Sequence, residues 1–141
     1  MAEERGLRSV HILPYQDMSR PGEVLSAGDL AVVCLGIQFT GMSVPSKTYG
    51  IMASEKAILA LLGTESEIGR TIVQHDCAVA LEDPSGNQVA QTIRALLRGP
   101  TKLRRWGENS YQAFRQHYTL PWPQNDTLSS YRRRALAARI R

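Results

Sequence analysis

The chain has 141 residues, 43% of them apolar, enough for about one domain with a buried core and too apolar for disorder throughout. No apolar run approaches the roughly 18–20 residues of a membrane-spanning helix, and the start Met1-Ala2-Glu3-Glu4-Arg5 lacks the apolar stretch of a secretory signal. The net charge is +4, and the two cysteines, Cys34 and Cys77, sit in apolar runs without CxxC spacing. That argues against a disulfide framework or a zinc site and for a reduced, cytoplasmic chain.

In chain order, Val10-His11-Ile12-Leu13 is a short apolar run stopped by Pro14 and predicts a strand. Pro21 opens a short helix over 22–27, where its missing N–H costs little. Gly28-Asp29 turns into 30–35, a continuous apolar run of the kind that parallel sheets bury on both faces. Residues 36–44 read as a glycine-containing loop, and a short helix follows from about 46 to 55. A second apolar run, 57–62, predicts another strand. Thr64-Glu65-Ser66-Glu67 then has capping-box spacing, threonine with glutamate three on, with Ile68 and Ile72 behind it.

Residues 77–81 predict the last buried strand, punctuated by Asp83-Pro84-Ser85. Val89, Ile93, Leu96 and Leu97 form an amphipathic helical stripe. A further helix is predicted over 101–118, with Leu103, Trp106, Tyr111, Phe114 and Tyr118 on its apolar side. Pro121 and Pro123 break it, and a basic helix is expected over 127–140. Strands alternating with helices predict an α/β fold, a partial Rossmann-like parallel sheet flanked by helices. Residues 1–118 would form the folded half-domain and 119–141 a basic helical tail.

Charge follows that division. Residues 1–97 carry 7 basic and 11 acidic side chains, and 98–141 carry 10 basic and 2 acidic. A basic C-terminal segment suits an anionic membrane surface or nucleic acid, and also an ordinary solvated helical face. The basic residues lack the context of a nucleic-acid recognition motif, so nucleic acid ranks last.

In open α/β sheets, ligands sit at the carboxyl ends of strands, near helix N-termini. The loop after Leu35 is the longest strand-to-helix connection, and it delivers Pro45-Ser46-Lys47 to a helix start. A serine hydroxyl, free backbone N–H groups and a lysine together can cradle a phosphate. Helix capping by Ser46 beside a surface lysine is the competing reading. His11 in its predicted strand reads as a packed or edge residue, His75 and Asp76 end a helix whose dipole a histidine can complement, and His117 has no cysteine or carboxylate at metal-ligand spacing. Neither a Ser/His/Asp arrangement nor a P-loop nor GxGxxG occurs.

The order of these pieces carries more than any one of them. The run LRSVHILPYQ, PGEVLSAGDLAVVCL, GMSVPSKTYGIMASEKAILAL, ESEIGRTIVQHDCAVALEDPSG and VAQTIRALL resembles the C-terminal region of family 4 glycosyltransferases. It is most similar to the bacterial capsule and O-antigen subgroup, in which a PSK-type motif replaces an EGFG-type loop. The resemblance covers about residues 7–118. It implies the donor-binding domain of a GT-B fold and a retaining transfer of sugar from a UDP- or GDP-linked donor to a polysaccharide or lipid-linked acceptor. It implies no metal and no cofactor beyond that nucleotide-sugar.

By the same resemblance, Gly41, Met42, Ser43, Pro45, Ser46 and Lys47 would face the donor's diphosphate and sugar. Tyr15, Tyr49 and Gly50 would lie near its nucleobase and ribose. Gly50 stands where the family carries a ribose-gripping glutamate, and Glu55, Ala57 and Ala78 stand where it carries glycine, proline and glycine. Losing the ribose carboxylate removes a charge-assisted hydrogen bond worth about 1.5–3 kcal/mol, roughly one to two decades in affinity. The acceptor domain and the first two donor-domain strands have no counterpart in the chain. Peripheral attachment to the inner membrane face, pairing with a separate N-terminal subunit as a non-catalytic module, and self-association through a bare edge at 30–35 are the expected modes of assembly.

Overall fold

The computed structural model describes residues 6–17, 19–39, 42 and 44–119. Its elements run α1 (Pro21–Ser26), β1 (Leu30–Cys34), α2 (Lys47–Ala53), β2 (Ala57–Leu61), α3 (Glu67–Gln74), β3 (Ala78–Leu81), α4 (Gly86–Leu97) and α5 (Pro100–His117), with a single 3-10 turn at Ile37–Phe39. The three strands form one parallel sheet in the order β1-β2-β3. Leu30 pairs with Ala57 through to Cys34 with Leu61, and Ile58 with Ala78 through to Leu61 with Leu81. This is the α/β, Rossmann-like parallel sheet that the apolar runs predict.

Strand alternation divides the core in two. Val33, Ile58 and Ala60 face Ile51 and Met52 of α2 and Ile68 and Ile72 of α3. Leu30, Ala57 and Val79 face Leu96 of α4 with Leu103 and Trp106 of α5. β2 lies between its neighbours and its first four residues are buried, whereas β3 is half-buried throughout and β1 mixes buried with exposed positions. The long helix α5 reaches both clusters, since its Ala113 and Phe114 join the first. A Cβ on Gly107 would sit 2.4 Å from the Glu55 carbonyl oxygen. Only glycine allows α5 to cross the α2–β2 turn that closely.

Two expectations need correction. Residues 10–13 form no strand: Val10, Ile12 and Leu13 are exposed and the segment pairs with nothing in the sheet. An apolar run of four becomes a strand only where an edge receives it, and none does here. Thr64 is not the cap of α3. Ser66 is, in extended geometry (φ −67°, ψ 157°), its hydroxyl oxygen accepting from the Gly69 N–H at 3.0 Å. That shift puts Glu67 first in the helix rather than third, so its carboxylate cannot reach back to close a box. The capping box lies at α4 instead, where Ser85 and Gln88 bond reciprocally. The expected basic helix over 127–140 and the breaks at Pro121 and Pro123 lie outside the described residues. Among the described residues, no helix is long and apolar enough to cross a membrane.

Candidate functional site

β1 has β2 on one side and no strand on the other among the described residues, which is the open edge expected at 30–35. Along it runs a groove of about 570 Å³, within the range of small-molecule sites. Its floor is Leu30 to Cys34, one wall is Val24 and Leu25 of α1, and the other is Val44, Pro45, Ser46, Lys47 and Ile51. Most of this lining is apolar, and Lys47 is its only charged side chain among the described residues.

The structure thus brings Pro45, Ser46 and Lys47 onto the wall of a groove that Cys34, the last residue of β1, also lines. Ser46 precedes α2 with helical angles (φ −56°, ψ −26°), and its hydroxyl makes no capping bond. A cap requires extended geometry to aim its oxygen at the N–H groups one turn on. Ordinary capping therefore does not account for Ser46, whose side chain is exposed with Lys47. Thr48, next in α2, is buried, and its hydroxyl has no hydrogen-bond partner among the described residues. It does not line the groove.

The other sequence candidates lie elsewhere. Met42 is exposed, its N–H donating to the Phe39 carbonyl at 3.0 Å in a turn. Gly41 and Ser43 lie outside the described residues. Tyr15 is exposed on the N-terminal segment and lines no part of the groove. Tyr49 turns toward α3 and α5: its hydroxyl donates to Glu67 Oε1 at 3.1 Å and its ring stacks on Tyr118 at 4.7 Å. Burial, with the neighbouring Glu67 carboxylate, pushes the Tyr49 phenol up to about 12. Gly50 faces α1, where an added Cβ would lie 2.8 Å from Leu25 Cδ1. A glutamate at 50 would press on Leu25, a wall of the groove, before it reached any ligand.

Sequence reading missed one structural residue, Asp76. Its carboxylate accepts from Arg105 Nη2 at 2.9 Å and Trp106 Nε1 at 3.0 Å, and its carbonyl from Asn109 Nδ2 at 2.8 Å. It holds α5 to the α3–β3 turn from a left-handed backbone position (φ 44°). An aspartate just after a helix, where the chain must reverse, was the available signal. A second cavity of about 280 Å³ opens at the amino end of the sheet, between Asp29, Glu55, Lys56, Arg104 and Glu108. Mixed charges of both signs there select no ligand class. Among the described residues, no group of three or more His, Cys, Asp or Glu side chains could hold a metal ion.

Comparison with known proteins adds no neighbour: no family model, no curated protein and no solved structure matches this chain.

Proposed function

We propose that the chain is the donor side of a nucleotide-sugar glycosyltransferase and that its groove takes the diphosphate of a UDP- or GDP-linked sugar at the Lys47 end. The observation that carries this reading is the placement of Pro45, Ser46 and Lys47 on one groove wall at the carboxyl end of β1. That is where open α/β sheets bind ligands. Lys47 supplies a full positive charge and Ser46 an uncommitted hydroxyl, both suited to phosphate oxygens. The order of motifs along 7–118 supports the same assignment through its resemblance to family 4 glycosyltransferases. The sugar would pass from the nucleotide to a polysaccharide or lipid-linked acceptor held by residues the described chain does not contain.

Affinity should be low, on the order of millimolar, equivalent to about 4 kcal/mol. Gly50 offers the ribose no carboxylate, and neither Tyr15 nor Tyr49 lines the groove. The test is a titration of the chain with UDP and GDP followed by backbone amide shifts. Shifts at residues 46–48 that disappear in Lys47→Ala support the site. Shifts confined to basic residues of 98–141 would refute it.

A further inference from the structure

The groove at the Lys47 end suits an anion, but most of its floor is the backbone edge of a strand. Three observations bear on what covers that edge. First, Leu30-Ala31-Val32-Val33-Cys34 carries no charged or proline residue of the kind that blunts exposed edges. Second, the same chain carries an unplaced segment of matching character. Ile12 is 84% exposed and Leu13 73%, and both lie in irregular backbone between Pro14 and a turn at Leu7–Val10. Third, charges flank both segments. Arg8 precedes the apolar run 10–13 and Asp17 follows it, whereas Asp29 precedes β1 and Lys47 opens α2, the helix that follows it, on the wall of the same groove. All four are exposed.

We propose that residues 10–13 of a second copy add to the open edge of β1 as a fourth, parallel strand, reciprocally between two chains. The charges select the direction. Laid parallel, the arm brings Arg8 beside Asp29 and Asp17 toward Lys47. Laid antiparallel, it sets Arg8 against Lys47 and Asp17 against Asp29, which costs energy at both ends. The parallel direction also continues the sense of the existing sheet. Pro14 falls at the end of the added strand, where a missing N–H removes no ladder bond. Main-chain hydrogen bonds along β1 would supply the affinity and the apolar groove walls the specificity, as in other strand additions. A diphosphate would compete with Asp17 for Lys47 at that end alone.

The experiment uses the full chain. Sedimentation velocity at micromolar concentration should show a dimer. Val32→Lys on the edge and Ile12→Glu on the arm should each weaken it about tenfold or more. Ile12 is exposed in the single chain, so its replacement tests pairing without threatening the fold. Orientation is read by a short bis-maleimide reagent. Pro14→Cys should cross-link to the exposed Cys34 of the other copy, and Ser9→Cys, far from it in the parallel arrangement, should not. A monodisperse monomer, a dimer indifferent to both Val32→Lys and Ile12→Glu, a Pro14→Cys link closed within one chain, or preferential linking of Ser9→Cys would each overturn the proposal.

Discussion

Glu55 and Asp76 close the turns that lead from α2 into β2 and from α3 into β3, and both hold left-handed backbone, φ 60° and 44°. For a residue with a Cβ that conformation costs about 1–2 kcal/mol. Glycine would remove the strain but lose about 0.5–1 kcal/mol through its freer unfolded chain. Glu55→Gly should therefore stabilise the chain by about 1 kcal/mol, seen as a higher denaturant midpoint with unchanged slope. An unchanged or lower midpoint would show that the Glu55 side chain contributes more than its backbone costs. The same replacement at Asp76 should destabilise, because it also removes the acceptor for Arg105 and Trp106.

At the scale of elements, the end of α5 lies on α3. His117 stacks on His75 at 4.8 Å, and the Tyr118 and Thr71 hydroxyls meet at 2.7 Å. Burial, with the charge that His117 would bring, pushes the His75 imidazole below its ordinary value of 6.5. The folded chain thus holds a proton at His75 less readily than the unfolded chain does. The His75 contribution to stability is full above about pH 6.5 and falls as the pH drops from there toward the lowered value. Denaturant midpoints should decline between pH 7.5 and 5.5 more steeply in the native chain than in His75→Gln. Equal slopes would sink the idea.

Much of this element map was legible in the sequence. The continuous apolar runs at 30–35, 57–62 and 77–81 marked their own strands, although only β2 is buried on both faces. The stripe of Val89, Ile93 and Leu96 likewise marked α4, although Leu97 proved exposed. Caps were harder, because Thr64 and Ser66 are both competent and only the backbone angles choose between them. Residues 10–13 carry a strand's composition without its partner, and composition cannot report a missing neighbour. Of the candidate site, Pro45, Ser46 and Lys47 share one wall because they are contiguous. Tyr49 and Gly50 are equally close in sequence, but a helix turns them through successive steps of about 100° onto other faces.

Over the whole molecule, every sheet hydrogen bond passes through β2, whose Ile58, Leu59 and Ala60 are fully buried. In the dissociated single chain, amide exchange should be slowest there, faster in β1 and β3, and fastest in 10–17, which has no ladder of its own. Protection in β1 equal to that in β2 would mean the outer edge is covered in solution. A uniform rate across the three strands would instead show that they open together.

The reach of α5 into both cores also bears on how the chain is made. Neither face of the sheet is complete until Leu103, Trp106, Ala113 and Phe114 have been added, so a ribosome-bound chain ending before residue 100 carries a sheet only partly covered on both faces. At about 5–20 residues per second, the 18 residues of α5 take about one to four seconds to synthesise. Throughout that interval β2 is apolar and incompletely covered. Chaperone contact with the nascent chain should therefore peak between the synthesis of β3 and the emergence of Ala113, and decline as α5 docks.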